Sequence, residues 1–152
     1  MIAVRLICVG KLKERFYQDA CAEYVKRLGA YCRLDICELP EEAGRPDGLR
    51  RESVRVLENI PAGAYVIALC IEGETMSSEQ LAGRLSALQT HGVSRIALVI
   101  GSSEGLDPAV KQRADLRLSM SPMTFPHHLA RVMVLEQLYR ALSIAAGAKY
   151  HK

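Results

Sequence analysis

Apolar, strand-like runs and amphipathic helical stretches alternate along almost the whole chain. That order predicts one α/β domain with a mostly parallel sheet and helices on both faces. Two of the runs, Tyr65-Val-Ile-Ala-Leu-Cys-Ile71 and Arg95-Ile-Ala-Leu-Val-Ile100, are apolar without alternation, as strands covered on both sides must be. No repeat, low-complexity run or linker divides the 152 residues, so residues 1–152 are expected to form a single domain.

Residues 2–9 form the first β-rich run, ended by Gly10 and followed by Lys11 and Lys13. Phe16, Ala20, Tyr24 and Leu28 then recur at the spacing of one helical face, and Gly29 stops that helix. Leu34 and Ile36 alternate with Arg33 and Asp35, which reads as a half-exposed strand over residues 33–39. The Pro, Gly and charge content of residues 40–48 marks a loop, and a charged helix with Val56, Leu57 and Ile60 on its apolar edge runs to Pro61. Beyond the first continuous run, Ser77 and Gln80 form a capping box for a helix through Leu81, Leu85 and Leu88, ended by His91-Gly92. The second run turns sharply at Gly101-Ser-Ser-Glu-Gly105, and Asp107-Pro108 opens a short helix. Residues 116–120 make a brief last strand. A long helix over residues 128–146 follows, with Val132, Leu135, Leu142 and Ala146 on its apolar stripe and Glu136 and Arg140 paired one turn apart.

Composition narrows the class further. Hydrophobic residues make up 49% and charged residues 24%, an ordinary globular balance, and the absence of Trp leaves the core to aliphatic side chains. A net charge of +3 permits a nucleic-acid partner without requiring one. The five cysteines are odd in number and contain no Cys-x-x-Cys, which argues against a disulfide framework or zinc site and for a reducing cytoplasm. No signal peptide fits the N-terminus and no apolar run reaches membrane-spanning length, so no membrane association is expected.

In a parallel sheet, ligands bind beyond the carboxyl ends of the strands. Three loops leave those ends, after Ile71, Ile100 and Met120. The turn at Gly101 lacks the common nucleotide fingerprints; it reads either as a plain tight turn or as a place where small residues let backbone approach a ligand. The loop Met120-Ser121-Pro122-Met123-Thr124-Phe125 mixes hydroxyls with Met and Phe next to proline, which suits either a rigid connector or a wrapping for a flat heterocycle. Arg131 stands near a helix start, where the dipole disfavours a cation, so it is read as a surface residue or as one facing RNA or a subunit interface. His127 and His128 have no ligand-spaced Cys or carboxylate, which argues against metal. The ending Lys149-Tyr150-His151-Lys152 is either a frayed end or a functional tip that brings a stackable ring, a group that titrates near neutrality and phosphate-seeking cations.

The Ser-x-Met-Thr-Phe-Pro-His loop, the Glu-Gln-Leu-Tyr-Arg-Ala helix and the Tyr-His-Lys ending closely resemble the ribosomal RNA large-subunit methyltransferase H family, of the SPOUT class. The resemblance extends over nearly the whole chain, from Ala-Val-Arg-Leu-Ile-Cys-Val-Gly-Lys-Leu-Lys onward. It implies an S-adenosylmethionine (SAM)-dependent homodimer with a deep C-terminal trefoil knot, which methylates N3 of a pseudouridine in 23S ribosomal RNA within the assembled ribosome. It further implies SAM contacts at Leu69, Gly101 and Met120, Ser121, Pro122, Met123, Thr124 and Phe125. In the reaction it implies, His151, aided by Tyr150, takes the N3 proton or hydrogen-bonds the base or the RNA backbone. Lys149, Lys152 and Arg131 are expected to bind phosphate. Two residues depart from the family pattern: Ser102 stands where a second glycine is frequent and is expected to narrow the approach, and Cys70 replaces a frequent acidic residue. A sensing domain without catalysis and a Rossmann-like small-molecule enzyme are the competing readings; the complete Tyr-His-Lys ending speaks against the first, the missing dinucleotide fingerprint against the second.

Overall fold

A computed structural model describes residues 1–149; Tyr150, His151 and Lys152 lie outside the described residues. Five strands, β1 (Ile2–Val9), β2 (Cys32–Leu39), β3 (Tyr65–Thr75), β4 (Arg95–Ile100) and β5 (Leu116–Ser119), form one sheet. The spatial order is β2-β1-β4-β3-β5 and every pairing is parallel. The helices are α1 (Arg15–Leu28), α2 (Gly48–Glu58), α3 (Ser78–Thr90), α4 (Pro108–Arg113) and α5 (His127–Ala145).

Because side chains alternate across a strand, the sheet feeds two separate cores. Val4, Leu6 and Cys8 of β1 and Ile96, Leu98 and Ile100 of β4 pack with α1, α3 and α5. Ile7, Val9, Ala97 and Val99 point the other way, onto Val56 of α2 and Val110 of α4. The α/β expectation with helices on both faces is therefore met. The edge strand β2 shows the alternating burial read from residues 33–39.

Local signals hold where they rest on backbone chemistry. Ser77 accepts a hydrogen bond from the Gln80 amide at 3.0 Å, and Gln80 returns one to the Ser77 amide at 2.8 Å. Asp107 caps α4 through the Ala109 amide, with Pro108 in its first turn.

Three expectations need correction. Phe16 does not belong to the buried face of α1: it is 66% exposed, and Tyr17, Cys21, Tyr24 and Leu28 meet the core. On α5 the buried line is Val134, Leu135, Leu138, Ala141 and Leu142, while Val132 is half-buried and Ala146 is exposed just past the helix end. Strand β3 also runs past Ile71 to Thr75, with a break in register: Leu69 and Glu74 both pair with Leu118. The intervening residues bulge out of the ladder, and Ile71 is 52% exposed rather than covered. Gly73 makes this possible, since a Cβ there would run into the Arg117 backbone.

Candidate cofactor cleft

Two loops that leave strand ends, after β4 and after β5, and a bulge within β3 converge on one cleft of about 590 Å³, within the usual range for small-molecule sites. The β3 bulge contributes Leu69, Cys70, Ile71 and Glu72 to its wall. The turn after β4 contributes Gly101, Ser102 and Ser103, and the loop before α5 contributes Met120, Ser121, Met123, Thr124 and Phe125. Every cofactor position carried over from the resemblance lines this cleft except Pro122, which is exposed and not on the wall.

Each loop has a physical reason for its shape. A Cβ on Gly101 would overlap the Gly105 carbonyl, so the turn folds back on itself only with glycine there. Ser102 is buried, and its hydroxyl is engaged by Glu52 of α2 at 2.9 Å rather than left to obstruct the cleft. Glu52 is itself buried and accepts the Glu42 amide at 2.8 Å, while the Glu42 carboxylate pairs with Arg45 and Arg55. The departure from a second glycine is thus matched by a carboxylate that takes up the added hydroxyl. In the third loop, the Met123 amide donates to Ser121 Oγ at 3.0 Å, and the Ser119 hydroxyl donates to the Ser121 carbonyl at 3.2 Å. These bonds close a turn that leaves the Met123 side chain 71% exposed over the mouth.

Sequence reasoning missed several wall residues. Lys111 of α4 forms an ion pair with Glu72 at the rim, and hydrogen bonding to Lys111 is the main cause that holds the Glu72 carboxyl below the usual range. His127 lines the cleft, and its buried Nε2 has no hydrogen-bond partner among the described residues. Desolvation, followed by the neighbouring His128, pushes the His127 imidazole down from its ordinary value, so the ring is neutral at physiological pH. Adjacency to Pro126 was the one available sequence signal, and it does not say which histidine faces the cleft. Burial raises the Cys70 thiol, chiefly by desolvation, and that of Cys8 to about 12, so neither is a ready nucleophile. All five cysteines are free, and no group of three or more His, Cys, Asp or Glu suited to a metal occurs among the described residues.

Arg131 is placed otherwise than expected. It is 3% exposed, pairs with Glu38 at 2.5 Å and donates to the Gly10 carbonyl at 3.0 Å. The helix-dipole cost of a cation near the helix start is offset by a carboxylate and a strand-end carbonyl brought in from β2 and β1. In this position it ties the start of α5 to the sheet and offers nothing to a phosphate. Lys149 is exposed; Tyr150, His151 and Lys152 lie outside the described residues.

A second hollow of about 480 Å³ lies between α1, α3 and α5, and Met120 lines both. Its main charged group, Glu136, is held by Arg140 at 2.5 Å. It receives the β5 end and Met76 and Ser77 beyond β3 but no Gly-bounded turn, so the first cleft is the better candidate for a cofactor.

Known proteins resemble the chain over nearly its full length. A family model described as "Predicted SPOUT methyltransferase" matches residues 2–151. The chain is 53% identical over 159 aligned positions to a protein of Bifidobacterium adolescentis named Ribosomal RNA large subunit methyltransferase H, covering 98% of this chain and 99% of that one. It is 46% identical to the protein of the same name from Bifidobacterium animalis subsp. lactis, over 98% and 99% of the two chains. Among solved structures, a probable methylase family protein from Haemophilus influenzae Rd KW20 superposes with a TM-score of 0.60 at 14% identity, covering 98% of this chain and 70% of that one, a likeness of fold. Match to the family model over nearly the full length, together with this identity, places the chain among the SPOUT methyltransferases, in the ribosomal RNA large-subunit methyltransferase H family.

Proposed function

We propose that the chain is a SAM-dependent methyltransferase that modifies N3 of a pseudouridine in 23S ribosomal RNA, in the cytoplasm and within the assembled ribosome. The observation that carries this reading is the coincidence of the cleft with the family's cofactor positions, on a chain 53% identical to a relative that bears that name. Leu69, Met120 and Met123 offer apolar contact to a flat heterocycle, and the Gly101 turn and the Ser121–Phe125 backbone offer polar groups to its edges. Bound there, SAM would supply an electrophilic methyl group.

The chain's own part is positioning and proton removal. The Glu52–Ser102 bond and the turn at Ser121 hold two walls of the cleft in place before any ligand arrives. Neutral His127 presents an acceptor or donor nitrogen without adding positive charge beside a cationic cofactor. His151 is assigned the N3 proton, with Tyr150 beside it, and Lys149 and Lys152 are assigned phosphate; the first, second and last of these four lie outside the described residues. The homodimer and the C-terminal knot belong to the same proposal. The half-buried Tyr24, Val132 and Met133 around the second hollow are the apolar surface assigned to the second copy.

The test is methyl transfer from labelled SAM to ribosomes of a strain lacking its own enzyme, with naked 23S RNA alongside. Label is expected on assembled particles, at one modified uridine, and greatly reduced with His151→Ala. SAM binding with no labelled RNA in either sample would overturn the reading.

A further inference from the structure

The loop between β1 and α1 lies at the same end of the sheet as the cleft, and the proposed reaction leaves it without a role. Its backbone is unusually well held. The Gly10 amide donates to the Leu39 carbonyl at 2.8 Å, and Arg131 donates to the Gly10 carbonyl at 3.0 Å. Leu12 is buried, its amide donates to Glu38 at 3.4 Å, and Gln18 donates to its carbonyl at 2.9 Å. With Leu12 turned inward, Lys11 and Lys13 turn outward; both are exposed, and neither has an ion pair among the described residues. Arg15 follows, its side chain 88% exposed and in a loose 3.5 Å pair with Asp19.

Phe16 stands next to these cations. A single exposed apolar residue is unremarkable by itself, but this one heads a line of rings that leads into the cleft wall. Phe16 and Tyr17 have ring centroids 4.4 Å apart, Tyr17 and His128 6.1 Å, and His128 and His127 4.1 Å. His128 is also held by Glu14 at 3.5 Å, so the line joins the same pinned loop. A stackable ring flanked by three cations, on a rigid support continuous with the cleft, matches the chemistry of an unpaired RNA strand.

We propose that Lys11, Lys13, Arg15 and Phe16 form a docking surface for the RNA strand flanking the target nucleotide, with a base stacked on Phe16 and its phosphates on the cations. This rests on the ribosomal RNA reading above. A pinned loop loses little freedom on binding, so more of the contact energy is left as affinity.

The test uses the full-length chain and ribosomes lacking the modification, with co-sedimentation for binding and labelled SAM for turnover. The variants are Phe16→Ser and the double Lys11→Gln/Lys13→Gln, both at exposed positions outside the cleft. Phe16→Ser is expected to raise KM for ribosomes by about 5- to 150-fold, the worth of one base–aromatic stack. The lysine pair should flatten the dependence of log binding on log salt by about 1 to 2. kcat at saturation, SAM affinity and molecular mass in solution should stay at wild-type values. Wild-type binding and KM in both variants would overturn this surface while leaving the activity standing. Loss of the dimer in Phe16→Ser would also overturn it, assigning the ring to a second copy. Wild-type protein that neither binds nor methylates ribosomes would remove the RNA reading and this surface with it.

Discussion

Arg131 shows how much a single position depends on its surroundings. Read along the chain it is a cation in the wrong turn of a helix; in the fold it is a buried clamp between α5, β1 and β2. Arg131→Ala removes charge-assisted hydrogen bonds to Glu38 and Gly10, and should lower unfolding stability by about 2–3 kcal/mol in urea titration. The figure is below that for a fully buried pair because Glu38 keeps 38% of its side chain in solvent and can rehydrate. A variant as stable as wild type but weak on ribosomes would restore the phosphate role. Ser102 carries the same lesson at smaller scale: its hydroxyl is harmless to the cleft because Glu52, fifty residues earlier, receives it.

At the scale of elements, signals based on local backbone chemistry held and signals based on a helical stripe partly failed. The Ser77–Gln80 box depends only on residues three apart, so it is legible in the sequence. Ser77→Ala should cost about 1 kcal/mol in thermal or urea unfolding, with SAM affinity unchanged because Ser77 does not line the cleft proposed for the cofactor. An unchanged midpoint would mean that α3 is held by packing of Ala82 and Leu85 alone. For α1 and α5 the periodicity located the helices but left their rotation open by about a residue. Phe16 and Val132 fit the spacing, yet α1 and α5 also pack against each other, and that contact selected Tyr17, Cys21 and Val134 instead. The β3 bulge had no clear signal beyond Gly73, whose need comes from the Arg117 backbone across the ladder.

For the whole molecule, the two cores on either side of the sheet make the scaffold rigid, and the cleft sits at its edge with the His127 ring short of a hydrogen-bond partner among the described residues. Well above pH 6.5, the ordinary imidazole value, His127 is neutral in folded and unfolded chains alike and has no effect on stability. Below that value the unfolded chain takes up a proton that the folded chain resists, so stability falls as pH drops towards the depressed folded value. The urea midpoint should therefore decline between pH 7.5 and 5.5, and His127→Gln should make that decline shallower. An equal decline in the variant would place the acid sensitivity elsewhere. The sequence by itself determined the alternation of strands and helices, the apolar runs that open β3 and form β4, the caps of α3 and α4, the family, and the three chain segments that meet at the cleft. Each of those is written in neighbouring residues or in a whole-chain pattern. Only the tertiary structure decided that Arg131 is buried, that His127 rather than His128 reaches the wall, that Glu52 answers Ser102, and that Phe16 is left in solvent. Those outcomes turn on side chains from strands and helices far apart in the chain, whose meeting is set by sheet order and helix rotation rather than by local pattern.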